Sequence, residues 1–179
     1  MAKIRLNRRF KATTKVLLPF DEATTKDECG NTWAEVGSPA LSSSQVKFGS
    51  NSLFVNDENY IQTNDTFTLG GSDFTIDFRT YFSAEKAACT FFSATAFDFF
   101  NNREFNFGLD KADSFNSFFF IFGEKYCYPN YYHDFIFDAW NYIAICYNYS
   151  KDRINVYVNG KPVSWCRDVG KYAFNVQSR

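Results

Sequence analysis

The chain has 179 residues, 45% apolar and 21% aromatic, with a formal net charge of −1. No stretch approaches the roughly 18 consecutive apolar residues a membrane-spanning helix needs, so no membrane span is expected. Basic charge is concentrated only at the N-terminus, which could touch nucleic acid or an anionic surface but reads first as a terminal strand or solubilising tail, so nucleic acid is an unlikely partner. With 23 Phe and 11 Tyr, the composition favours pleated, half-buried surfaces over helices.

Charge is unevenly placed. Met1–Lys15 carries six basic residues and no acid, leaving 13 basic against 20 acidic residues in the rest. Residues 1–15 therefore read as a basic arm or edge strand, and residues 16–179 as a single domain of a size that buries one core. The basic start is not followed by an apolar segment of about 7–15 residues, so no ordinary secretory leader is read.

In chain order, Ile4 to Phe10 alternates weakly, and Val16–Phe20 predicts a short strand with Pro19 at an edge or bulge. Residues 21–44 are polar and contain Gly30, Gly37 and Pro39, which predicts a loop anchored by Trp33. Short strands follow at Ser52–Asn56 and Tyr60-Ile61. Phe74, Ile76 and Phe78 alternate with Thr75, Asp77 and Arg79, the period-two signature of a long half-buried strand. Pieces at Thr90–Ser93, Asp98–Phe100 and Phe105–Leu109 continue the pattern, and Ser117–Phe122 reads as a strand buried on both faces.

Trp140–Trp165 is the most regular stretch. Ile143, Ile145 and Tyr147 alternate, then Ile154, Val156 and Val158, and Asn159-Gly160 favours a tight hairpin turn. A three-strand antiparallel meander follows from this, with Tyr172–Val176 as a closing strand. Many short strands without a long helix predict an all-β, two-sheet antiparallel sandwich.

VLLPFDE at 16–22, VKFGSNSLFVNDENYIQT at 46–63, FTLGGSDFTIDFRTYF at 67–82 and AWNYIAICYNYSKDRINVYVNGKPV at 139–163 together resemble the concanavalin A-like, laminin G-like jelly-roll domains. Three motif positions depart from that family: Tyr142 stands where the family carries His, Arg79 where it carries Trp, and Asp57-Glu58 where a glycine commonly follows the second element. The resemblance implies a jelly-roll sandwich at an extracellular surface or in a virion. It also implies calcium at a rim, for which Asp21, Asp57, Asn59 and Asp138 are the candidate ligands, since Ca²⁺ takes several oxygens from loops.

Catalytic constellations are absent from the sequence pattern. No ExDxE motif is present, Asp73 and Asp77 read as solvated or turn-capping acids, and His133 is the only imidazole. The tyrosine-rich loop around Pro129 offers a different chemistry. Tyr126, Tyr128, Tyr131 and Tyr132 with Asn130 combine apolar rings for sugar faces with hydrogen-bonding groups for hydroxyls. The expectation is a non-catalytic binding or adhesion module for a glycan or glycoprotein surface. A structural or assembly module with aromatic self-association is the alternative.

Five cysteines remain: Cys29, Cys89, Cys127, Cys146 and Cys166. Cys146 and Cys166 could pair across the meander in an oxidising compartment, but without a leader all five are expected as free thiols. Asn64-Asp65-Thr66 and Asn148-Tyr149-Ser150 fit the N-glycosylation acceptor pattern.

Overall fold

The computed structural model describes residues 14–56, 58–63, 65, 67–69, 71–83, 89–93, 105–112, 115–122, 125–127, 135–167 and 174–176. They contain strands and turns and no helix, and every strand pairing is antiparallel. The chain divides into two compact units, Met1–Asp65 and Thr66–Arg179. The expected arm, Met1 to Phe10 included, lies outside the described residues up to residue 13.

In the first unit, β1 (Trp33–Val36) pairs with β4 (Tyr60–Thr63), and β2 (Ala40–Ser42) pairs with β3 (Ser52–Phe54). Both β1 and β2 fall inside the stretch expected as loop, because their partners are supplied from 10 to 30 residues away and local composition cannot register them. Conversely, the strand expected at Val16–Phe20 does not form. Leu17 gives its N–H to Asp27 Oδ1 at 3.1 Å and its carbonyl accepts from Glu28 N at 2.9 Å, while Phe20 has φ 58°. Its ladder groups are taken by a loop.

Asp27 is the hub of that loop. Oδ1 accepts from Leu17 N and Cys29 N, and Oδ2 accepts from Asn31 Nδ2 at 2.7 Å and from Trp33 Nε1 at 3.0 Å. Trp33 does anchor the segment, through its indole N–H. Burial pushes the Asp27 carboxyl up, but the bonds from Asn31, Trp33, Cys29 and Leu17 outweigh it and hold the carboxyl below its ordinary value.

The second unit holds two four-stranded sheets. One runs β13 (Lys161–Arg167), β12 (Arg153–Val158), β11 (Trp140–Asn148), β6 (Phe74–Tyr81); the other runs β10 (Lys125–Cys127), β9 (Phe115–Phe122), β8 (Phe105–Ala112), β7 (Cys89–Ser93). A short pair, β5 (Phe67–Leu69) with β14 (Phe174–Val176), completes it. The expected loop at 124–134 therefore begins with a strand, Lys125–Cys127, drawn onto β9 by backbone pairing.

The meander forms as its alternation predicts. Burial alternates strictly along β12, and Ile143, Ile145, Ile154 and Val158 are at most 1% exposed. Asn159 and Gly160 both have positive φ, 51° and 83°, which is the backbone a two-residue hairpin turn requires. A bulge at Val156/Tyr157 admits Pro162 on edge strand β13, where its missing N–H costs least.

These side chains cluster with Phe107 and Leu109 of β8, and Phe91 of β7 contacts Phe78 and Phe107 at ring separations of 5.6 and 5.9 Å. The two sheets thus bury a common aromatic and branched-aliphatic layer.

Cysteine usage departs from both expectations. Cys166 is disulfide-bonded, whereas Cys146 and Cys29 are not. Strand geometry explains why Cys146 is not its partner. Cys166 pairs with Ile154 on the core face, but Cys146 pairs with Asn155 on the outer face, and β12 lies between them. Side chains on opposite faces and two strand spacings apart, about 9–10 Å, cannot bridge.

Asn141 is fully buried at 0% exposure yet fully bonded. Its Oδ1 accepts from Ile136 N and Asn159 Nδ2, and its Nδ2 donates to the carbonyls of Ile136 and Ala139, all at 2.7–3.0 Å. Asn159 in turn accepts from Tyr142 N and donates its own N–H to the Tyr142 carbonyl.

Asn141→Ala removes the partners of one N–H and two carbonyls around a fully buried side chain, and each such group left unsatisfied costs about 1–3 kcal/mol. Urea unfolding is expected to show a loss of about 3 kcal/mol or more, against about 0.5 kcal/mol or less for the surface change Asn155→Ala. In the first unit, the depressed Asp27 value means its contribution is present above the unfolded value of about 3.9 and is lost as pH falls through the lower folded value. Asp27→Asn should lower stability at pH 7 and flatten the acid limb of the stability profile; an unchanged acid limb would contradict this assignment.

Candidate functional site

The rim positions expected to bind calcium are engaged as turn anchors. Asp21 Oδ1 accepts from Ser50 N at 2.8 Å beside Gly49, whose φ is 67° and where any Cβ would collide with the Asp21 carboxylate. Asn59 does the same for Gly37: its Oδ1 accepts from Ser38 N at 2.8 Å, and its amide also bonds Asn56. Asp138 belongs to the second unit, has φ 55° and donates its N–H to the Phe82 carbonyl at 3.0 Å. Asp57 lies outside the described residues. Among the described residues no three or more His, Cys, Asp or Glu side chains gather as a metal site.

Of the expected sugar-stacking residues, Tyr126 sits on β10 opposite Ile121 in the register. Tyr128, Asn130, Tyr131, Tyr132 and the neighbouring His133 lie outside the described residues.

A polar and aromatic surface is assembled elsewhere, on the outer face of the β13-β12-β11-β6 sheet. Because β6 packs Phe74, Ile76 and Phe78, half-buried, against the core, the alternation exposes Thr75, Asp77 and Arg79. Antiparallel register sets Tyr142 opposite Arg79, Ala144 opposite Asp77, and Cys146 opposite Thr75; β12 adds Tyr157 and Asn155 beside Ala144 and Cys146. Small Ala144 leaves the longer side chains room to cross.

Tyr142 crosses diagonally. Its hydroxyl donates to Asp77 Oδ2 at 2.9 Å, and the Arg79 guanidinium carbon lies 4.8 Å from the ring centroid. Such a cation over a ring contributes about 0.5–1 kcal/mol at an exposed site. Tyr142 and Arg79, two of the three positions noted as departing from the resembled motifs, are thus cross-strand partners in one interaction. Sequence reading recorded each departure separately, and only the register joins them.

Burial pushes the Tyr142 phenol up, the Asp77 hydrogen bond and charge add to this, and Arg79 opposes it. The phenol is therefore a proton-bearing donor at neutral pH, oriented by a carboxylate. Asp73 has a structural task, accepting from Tyr149 N at 2.7 Å. Thr75 Oγ1 donates to Cys146 Sγ at 3.7 Å.

Chemically, the face offers a carboxylate, a guanidinium, a phenol ring and an amide on rigid strands. No protein-family model matches this sequence, and no curated protein matches it significantly.

On the core side, burial and then Asp152 push the Tyr147 phenol up to about 12; its hydroxyl donates to Asp152 Oδ1 at 3.2 Å. Both Tyr142 and Tyr147 fold best when neutral. Their contribution is complete below the unfolded value of about 10 and is lost as pH rises through the folded value, about 12 for Tyr147. Ultraviolet titration should show phenols ionising after the main group, and Asp77→Asn should return Tyr142 toward the ordinary range. A single ionisation step in the folded protein would contradict this reading.

Proposed function

We propose that this chain is a non-catalytic binding module on a laminin G-like, concanavalin A-like sandwich and that it recognises a carbohydrate or glycosylated surface. The observation that carries this reading is the exposed Asp77–Tyr142–Arg79 cluster. Sugars combine apolar C–H faces with paired hydroxyls, and an aromatic ring flanked by a carboxylate and a guanidinium suits both parts. The tyrosines from 126 to 132 are the second contact region this reading expects, with calcium at the rim as an optional support. The jelly-roll assignment is supported by the pairing of β6 with β11, which lays the two strongest motif stretches side by side. The non-catalytic assignment is supported by the hydrogen bonds that occupy Asp73 and Asp77.

A second reading, an assembly module, is favoured by the exposed apolar side chains of the first unit: Phe48, Phe54, Val55 and Tyr60 are 45–62% exposed. Isolated exposed apolar residues are ordinary, but four within thirteen residues, two of them on β3 and β4, suit contact with another subunit.

Glycan-array screening followed by titration calorimetry separates the two. Binding in the millimolar-to-micromolar range is expected, weakened about tenfold or more by Tyr142→Ala through loss of the stacking ring. No binding at millimolar glycan sinks the carbohydrate reading. A concentration-dependent oligomer that Phe54→Ser dissolves would establish the assembly reading instead.

A further inference from the structure

We infer that Asn148 is an N-glycan acceptor, modified by transfer of an oligosaccharide from a lipid-linked pyrophosphate donor. Asn148-Tyr149-Ser150 has the acceptor pattern. What the fold adds is the geometry of that tripeptide.

Asn148 ends β11, and residues 149–152 form the turn into β12. Along β11 the core takes Ile143, Ile145 and Tyr147, so Asn148 falls on the outer face. Its Oδ1 accepts from Ser150 Oγ and from Lys151 N, both at 2.9 Å. The hydroxyl two residues on is thereby held against the acceptor amide, and both Ser150 and Lys151 are exposed. The Nδ2 group makes no hydrogen bond among the described residues. A substituent on it therefore breaks no bond of the fold, while Tyr149 holds the turn from the other side through Asp73 and Tyr147.

The second observation is independent of the tripeptide. Cys166 is disulfide-bonded on the core face, and disulfides form and persist in oxidising compartments. The eukaryotic compartment that oxidises thiols is also the one in which lipid-linked oligosaccharide is transferred to such asparagines. The other acceptor pattern begins at Asn64, which lies outside the described residues.

In the transfer, Nδ2 of Asn148 attacks the anomeric carbon of the first sugar. The new C–N bond forms as the bond between that carbon and the pyrophosphate oxygen breaks. The polyprenyl pyrophosphate leaves with the electron pair, and the amide proton passes to a base of the transferring enzyme. No oxidant or reductant is consumed.

The test expresses the full chain behind a cleavable secretion signal in eukaryotic cells and maps its peptides by mass spectrometry. Glycans are released by amidase digestion in heavy-oxygen water. Retained and secreted fractions are both read, since transfer occurs at entry. The expected result is that Asn148 is recovered mostly as Asp bearing the heavy oxygen. Ser150→Ala should abolish this glycoform, and Ser150→Thr should preserve it. Both variants should unfold at a midpoint close to the parent's. Recovery of Asn148 mostly unmodified would overturn the assignment, as would persistence of its glycoform in Ser150→Ala.

Discussion

A single neutral amide holds the second unit's most regular sheet in place. Asn141 sits among residues that are otherwise apolar, and it is tolerated there because each of its hydrogen-bonding groups has a partner. An aspartate could not donate to the carbonyls of Ile136 and Ala139, and an apolar residue would leave them unpaired. Asn159 is caught from the other side, so the turn entering β11 and the turn leaving β12 are locked to the same residue. This fixes the register of β11 against β12, and a one-residue slip would exchange the faces of every side chain on the strand.

That register is what creates the outer surface. Tyr142 follows Asn141 directly, so the residue that locks the sheet from inside is adjacent to the one that projects from it. Opposite Arg79 and diagonal to Asp77, the Tyr142 ring is held by a carboxylate at its hydroxyl and a cation over its face. The pair is exposed and contributes modestly to stability. Its placement comes from the strands beneath it, whose pairing sets Tyr142 opposite Arg79 and one step from Asp77.

Much of the second unit was legible because period-two alternation and Asn159-Gly160 are local signals that tertiary packing reinforces. The first unit was harder to read, for a physical reason. Its residues 16–20 have strand composition, but Asp27 takes the backbone group of Leu17 that a neighbouring strand would need. Trp33–Val36 lies in polar surroundings yet pairs with β4, which no window of neighbouring residues reveals. Asn141 carried a weak signal only, a polar residue on the apolar phase of an alternating strand. A Cys146–Cys166 pair was the less favoured option, open only because both lie on one meander; the face each occupies is decided by register, and the register sets them apart.

The two features proposed on the outer face are compatible because β11 separates them. Tyr142 and Asn148 lie on the same face, six residues apart, a span of about 20 Å at the rise of an extended strand. A glycan at Asn148 would extend from the hairpin end, beyond Cys146, while the Asp77–Tyr142–Arg79 cluster sits at the opposite end beside the Asn159 turn. The sugar on one end would shield the hairpin from edge contacts, and the cluster would stay open to a ligand. If the chain instead assembles with copies of itself, that same glycan restricts the contact to surfaces away from the β11–β12 hairpin. Phe48, Phe54, Val55 and Tyr60 of the first unit have the composition for such a contact.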